Sequence, residues 1–408
     1  MVKQPPLLIY HTTILHLAGK IGPANSLGQH FPNLLNPKWI IWIFSTFMLL
    51  LVGLEEGIGF NSVLDTGLSF DSNVFRTSER SAGDFFLTFA PALSVQRSFS
   101  RAFLKLDSRF VWDRYYRYTQ VNARQTILNG QVRYNLSSHL SFEVNDELAK
   151  VQNLRPSTVR GTITPLTYLS NRASPALKYE RSNGMAITVE YSNESRSFTD
   201  SSNLEWNTNG MKLSLLYPLG YRTTAQLLFG FKHKVFGSDV AYRSESVAIE
   251  LSRKLSSRFN VSTQLGWENR TYRSGGNIDS LLVDINITGE LFRKIPMTLN
   301  FRRPLTDSDI YAGRALIPLG TALSLSWDLT SHLQLKVEGD IGRNIYPGFR
   351  PSDVRYFGRG QVGYKMRTLG TIYFTYAREL INPQSRDEGF RQGQFGISFV
   401  RPVPLFSQ

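Results

Sequence analysis

The chain has 408 residues, 12% of them aromatic, with 31 glycines and no cysteine. Without cysteine there is no disulfide framework, no thiolate metal site and no lipidated N-terminal cysteine. A formal charge of +14 indicates affinity for anions, whether membrane phosphate, nucleic acid or acidic polysaccharide. A mean hydropathy of −0.21 is too polar for a bundle of membrane helices, but it is compatible with a barrel in which half of every strand faces a wet interior.

The first element in chain order is the uncharged, mostly apolar run Ile40–Leu54, IIWIFSTFMLLLVGL, preceded by Lys38. It is shorter than the about 20 residues of a spanning helix and fits the roughly 7–15 of a signal h-region. Residues 1–58 are therefore expected to be an N-terminal extension and signal sequence, with the h-region at 40–54, and residues 59–408 a single barrel domain.

From residue 62 onward the pattern has period two. In Thr66–Phe75, Thr66, Leu68 and Phe70 share one face, and Gly67, Ser69 and Asp71 share the other. In Leu104–Asp113, Leu104, Leu106, Phe110 and Trp112 oppose Lys105, Asp107, Arg109 and Asp113. In Leu333–Ile341, Leu333, Leu335, Val337 and Ile341 oppose Lys336, Glu338 and Asp340. Such segments number about 18, with 16 as the alternative count, from 62–75 to 390–400. Two of them are 139–151 and 174–181. Many are longer than the usual 5–6 residues of soluble sheets and match the about 9–11 of tilted membrane strands.

Connections after even strands are short, as at Ser137–Ser138, Leu255–Ser257 and Thr330–Ser331. Those after odd strands are usually longer, as at Gln152–Ala173 and Pro304–Ala315. This asymmetry marks outer-membrane barrels. The turns LSSHLSF, LSSRFNV and LTSHLQL repeat one solution, in which Ser or Thr hydroxyls bond the nearby backbone. The fold class expected is all-β: one transmembrane antiparallel barrel of outer-membrane type, apolar face to lipid and charged face to the lumen. Closure removes every sheet edge and satisfies every backbone group in lipid. The cluster Trp112, Tyr115, Tyr116 and Tyr118, with Trp267, Tyr272, Trp327, Tyr346 and Tyr356, reads as aromatic girdles at the lipid boundary.

Ser69–Asn122 carries Asp71-Ser72-Asn73-Val74-Phe75, Asp84 before the second strand, Pro91 within it and the Tyr-rich end of the third. This stretch resembles the beta-barrel porin 2 type, a family of outer-membrane barrels often found with exopolysaccharide and exosortase gene clusters. The resemblance implies a Gram-negative outer-membrane pore for secreted polysaccharide, partnered by periplasmic export proteins. Outer-membrane barrels usually end on an aromatic; here Phe399 and Phe406 are the two candidates for that role.

Catalysis has little support. His139 and His332 sit in the repeated turns, where Arg258 takes the third place, and His233 lies between two lysines. No catalytic, cofactor or metal residues are expected, and the basic residues lack the clustering of a nucleic-acid groove. The expected pore lining is Lys105, Asp107, Arg109, Arg133, Glu143, Lys336, Glu338, Asp340 and Arg359, together with Glu147, Lys178, Glu190, Glu250, Glu268, Arg355 and Lys365. The connection Asn153–Ser174 carries Arg155, Arg160 and Arg172 and no acidic residue. Folded inward, it would form a cationic constriction. The expected partners are outer-membrane lipid and lipopolysaccharide, with polysaccharide or small solutes in the lumen. Three functions follow: a polysaccharide-export pore, a diffusion or substrate-specific porin, and a scaffold or adhesin with binding loops.

Overall fold

The computed structural model describes residues 58–403 except 76–80, 157–162, 200–204, 239, 293, 308–313, 348–351, 368 and 384–389. The N-terminal extension, the h-region and Phe406 lie outside the described residues. The strands are β1 (Ile58–Asp71), β2 (Asp84–Ser98), β3 (Ala102–Tyr115), β4 (Ala123–Asn135), β5 (Leu140–Pro156), β6 (Ile163–Glu180), β7 (Ala186–Phe198), β8 (Trp206–Gly220) and β9 (Thr223–Phe236). They continue as β10 (Ala241–Lys254), β11 (Phe259–Tyr272), β12 (Asn277–Leu291), β13 (Ile295–Arg303), β14 (Thr306–Asp307), β15 (Ala315–Asp328), β16 (Leu333–Ile345), β17 (Asp353–Met366), β18 (Gly370–Pro383) and β19 (Phe390–Pro402). Of these nineteen strands one, β14, has two residues, which leaves eighteen that build the wall.

Each strand pairs with its sequence neighbours, and β1 pairs with both β2 and β19, so the sheet closes on itself. The closing seam runs antiparallel from Val63↔Pro402 to Asp71↔Gln394. Period-two sequence decides which way each side chain points. Leu68, Phe85, Val132, Phe142, Val189, Phe229, Ile249, Leu265, Val337, Phe374 and Phe395 are all exposed and share one parity through the register. They form an outward apolar band. The opposite parity carries most of the charge.

The short turns follow from their hydroxyls. Ser137 Oγ accepts from the backbone N–H groups of His139 and Leu140, and Thr330 Oγ1 does the same for His332 and Leu333. In the third copy Ser256 Oγ accepts from Arg258 and Phe259. Ser138 Oγ lies 2.8 Å from His139 Nδ1 and Ser331 Oγ 2.9 Å from His332 Nδ1, so both histidines are fixed parts of turns.

The Asp71–Phe75 motif builds a rim. Asp71 is buried; its carboxylate accepts from the Asn73 backbone at 2.9 Å and from Gln392 and Gln394 of the seam partner β19. The Asp84 carboxylate accepts from the backbone N–H groups of Arg117 and Tyr118, at 2.8 and 2.9 Å. Around these anchors Val74, Tyr115 and Val121 form a small core, with Phe75, Phe86 and Tyr118 packed on it. This corrects part of the girdle expectation. Tyr115 and Tyr346 are buried and Tyr118 packs on the rim core, whereas Trp267, Trp327 and Tyr356 are exposed on the outer face. A rim core needs large rings as much as a lipid boundary does, and position near a strand end does not separate the two uses.

Candidate functional site: the inner wall and its inward segment

Inner-wall parity places Lys105, Asp107, Arg109, Arg133, Glu143, Glu147, Lys178, Glu190, Glu250, Glu268, Lys336, Glu338, Asp340, Arg355, Arg359 and Lys365 on the face opposite the apolar band. Most of these cations lie against carboxylates. Lys105–Asp107 is 2.8 Å, Arg133–Glu143 3.0 Å and Lys336–Glu338 2.6 Å. Arg359 shares Glu338 at 3.4 Å, Arg355 meets Glu379 at 2.8 Å and Lys365 meets Asp328 at 3.2 Å. Arg109 and Asp340 have no ion-pair partner among the described residues. Pairing of this kind leaves a polar, hydrogen-bonding wall with little net local field.

One recess of about 390 Å³ opens on the inner wall of β3–β7. Lys105, Asp107, Asn129, Gln131, Asn145, Glu147, Arg172, Ser174 and Glu190 line it. Here the expectation of one long loop over Asn153–Ser174 is corrected. The β5–β6 ladder runs without a break from Leu140↔Tyr179 to Pro156↔Ile163, so most of Asn153–Ser174 is strand and not loop. Arg172 is a wall residue, opposite Glu147 on β5 and Glu194 on β7. Arg155 lies on β5, in a stretch whose side chains are not described, and Arg160 lies outside the described residues. The ladder outlasts its neighbours: β4 ends its pairing with β5 at Gln125↔Val151, and β7 ends with β6 at Tyr168↔Phe198. Beyond those points the hairpin is a two-stranded ribbon. Pro156 and Pro165 are tolerated there because no third strand needs their N–H. These prolines read as a loop.

A different connection turns inward. After Arg303 the ladder is interrupted at Pro304 and Leu305 and resumes as the short β14, which pairs with β15 at Thr306↔Leu316 and Asp307↔Ala315. Leu305, Ala315 and Ile317 are buried together against Ile278, Leu282 and Ile345. Asp307 reaches farther. Its Oδ2 accepts from Lys234 Nζ at 2.7 Å and from the Tyr242 hydroxyl at 3.0 Å, and its Oδ1 accepts from Arg270 Nη1 at 2.8 Å. Arg270 also donates to the carbonyls of Thr306 and Leu305, at 3.2 and 3.4 Å. Lys234 is on β9, four strands from β13 in the sheet order, which is roughly 19 Å along the wall at ~4.8 Å per strand. Lys234, Tyr242 and Arg270 all have inner parity. The contact therefore crosses the inside of the barrel.

The anchoring patch is dense. Side chains of Lys234 and Arg270 are 8% and 1% exposed, so both cations depend on their carboxylate partners. The Lys234 ammonium sits 3.6 Å from the Trp206 ring centroid, Arg270 lies 4.2 Å from that of Tyr242, and Arg196 lies 4.5 Å from Tyr168. Glu268, also buried, accepts from Ser244 at 2.6 Å and lies 3.4 Å from Arg270. Tyr272 belongs to this inner patch as well, which corrects its assignment to the outer girdle. Among these groups only Glu268 is an expected lining charge, although Arg270 shares its face of β11 and Lys234 has the same inner parity on β9. Asp307, in a long connection, carries no such mark, and its meeting with Lys234, Tyr242 and Arg270 has no local sequence signal.

A closed antiparallel barrel of eighteen wall strands, with an apolar outer band and a charged interior, is a porin-like β-barrel of the outer-membrane class. Residues 60–212 match the family described as "Putative beta-barrel porin 2". The match covers the rim motif, the recess and the strands between them, and with the fold it places the protein in the Gram-negative outer membrane. The chain is similar to Pseudomonas aeruginosa OccK2 (OpdF) with 12% identity and a TM-score of 0.50, over 85% of this chain and 100% of that one. It is similar to the Pseudomonas aeruginosa outer membrane protein opdK with 11% identity and a TM-score of 0.49, over 85% and 99%. No curated protein matches in sequence.

Proposed function

We propose that the protein is a passive outer-membrane channel for small polar solutes, restricted on one side by the Leu305–Asp307 segment. The observation that carries this reading is the three-way hold of Asp307 on Lys234, Tyr242 and Arg270, which keeps a piece of chain inside the lumen. The proposed path runs along the paired wall, with Lys105, Asp107, Arg109, Arg133, Glu143, Lys336, Glu338, Asp340 and Arg359 among its lining residues. Paired charges offer many weak hydrogen bonds and no deep well, which favours passage over capture. The recess around Arg172 is the place where a solute would pause, because both signs of charge and three side-chain amides converge there. Reconstituted protein should admit sugars and amino acids in a liposome-swelling assay and exclude oligosaccharides beyond a sharp size limit. Free entry of long oligosaccharides would overturn the restriction.

Polysaccharide export is the second reading, favoured by the same mixed, amide-rich wall, which would suit a hydroxylated polymer. It requires the inward segment to give way to a chain. Deleting the gene should then abolish polymer secretion while leaving small-solute uptake unchanged; the opposite pattern supports the solute channel.

A further inference from the structure

The ion pairs raise a question about the charge of +14. Lys105, Arg133, Lys178, Lys234, Arg270, Lys336, Arg355, Arg359 and Lys365 all face inward, and all meet a carboxylate. Part of the surplus charge stands on the other face. On the outer face of β16–β19, towards the long-loop ends of the strands, stand Arg343, Arg378 and Arg391. All three are exposed, and none has a carboxylate partner among the described residues. Arg343 donates Nε to the Ser352 hydroxyl at 3.1 Å.

Their parity is that of the lipid-facing band: Arg378 follows the exposed Phe374 and Tyr376 along β18, and Arg391 precedes the exposed Phe395 and Ile397 along β19. In the register Arg378 lies between Gly358 and Gly393, so no side chain flanks it on either neighbouring strand. Arg378 and Arg391 are on adjacent strands in diagonal positions, about 7–8 Å apart at their β-carbons. A guanidinium just above an aromatic boundary, with no carboxylate partner among the described residues, is placed to face the head-group layer of the outer leaflet. The planar fork suits phosphate oxygens.

We infer that Arg343, Arg378 and Arg391 form a docking surface for the phosphate groups of an outer-leaflet lipid, whose acyl chains lie on the Phe374, Tyr376 and Phe395 surface below. This anion site is on the outside of the barrel and separate from the solute path.

The test uses the full-length barrel in vesicles of phosphatidylcholine with or without diphosphoryl lipid A, with bound lipid A measured after re-extraction. Each arginine near an anionic surface contributes about fivefold, ~1 kcal/mol, to association. The triple change Arg343→Gln, Arg378→Gln, Arg391→Gln should therefore lower retention roughly a hundredfold, while Arg222→Gln, in a short turn at the other end, leaves it unchanged. The charge-retaining pair Arg378→Lys, Arg391→Lys should hold most of the lipid, and this arm decides the matter if the triple variant does not assemble. Dephosphorylated lipid A should bind wild-type protein no better than the triple variant binds the phosphorylated form. Equal retention of phosphorylated and dephosphorylated lipid A, or equal retention by wild type and variant, would overturn the site.

Discussion

Asp307 concentrates the behaviour of the lumen in one side chain. It neutralises two cations that are almost fully buried, and it holds them from a segment whose other anchor is a small apolar cluster. Removing one partner of a buried pair costs about 3–5 kcal/mol, because the remaining charge stays desolvated. The change Asp307→Ala is expected to free the segment and raise single-channel conductance in planar bilayers, with migration of the folded barrel on gels unchanged. Unaltered conductance would show that the segment does not limit the current. Asp84 works at the same scale on the rim. Its carboxylate satisfies two backbone donors of the β3–β4 connection, and an unsatisfied buried donor costs about 1–3 kcal/mol. Asp84→Ala should lower the temperature at which the barrel loses its compact gel migration; an unchanged temperature would mean that water replaces the carboxylate.

At the scale of elements the alternation is the testable quantity. Leu106 and Leu335 lie on the outward parity, between Lys105 and Asp107 and between Gln334 and Lys336. A charge on the lipid face costs about 2–4 kcal/mol near the midplane. Leu106→Arg and Leu335→Arg should reduce the yield of assembled barrel, whereas Lys105→Ala and Lys336→Ala should assemble normally. Equal damage from both pairs would invert the assignment of faces. The β5–β6 ribbon gives a contrasting case. The described parts of its strands pair only with each other beyond Val151 and Tyr168, so excising residues 155–163 should break no strand pairing of the wall. Conductance should stay at the wild-type level; an increase would mean that the ribbon tip obstructs the channel.

At the scale of the whole molecule, closure and charge partition dominate. A sheet with no edge survives detergent, so the protein should fractionate with outer membranes and migrate faster on gels unless boiled. A product in the soluble periplasmic fraction with ordinary migration would exclude the barrel. The charge of +14 would by itself predict an anion-selective pore. The inner cations, however, are largely paired with inner carboxylates, and arginines with no carboxylate partner among the described residues stand on the outer face. Reversal potentials under a potassium chloride gradient should accordingly show weak ion preference. Strong anion selectivity would mean that the wall pairs are broken in the working channel.

Much of the fold was readable without coordinates, because each strand must satisfy two solvents at once. Lipid on one side and water on the other impose an alternation that Leu104–Asp113 and Leu333–Ile341 display openly, and short turns with Ser or Thr hydroxyls mark one end of the barrel. The lining charges of β3, β4, β5, β16 and β17 follow from the same rule. The rule ends where lipid ends. Residues 153–156 and 163–167 continue the ladder beyond the wall as a two-stranded ribbon, and the prolines it tolerates made them look like a loop. Tyr115 and Tyr272 look like girdle residues along the chain, yet one is in the rim core and the other on the inner wall.

The sequence by itself determined the closed barrel, the two faces of each strand and the membrane in which they make sense, because those depend on neighbours two residues apart. Only the tertiary structure decided which connection enters the lumen, which cations are neutralised and where the surplus charge stands. Those outcomes depend on residues such as Lys234 and Asp307, 73 positions apart in sequence and 2.7 Å apart in space. No local pattern records a contact made across a barrel, since closure alone brings its two ends together.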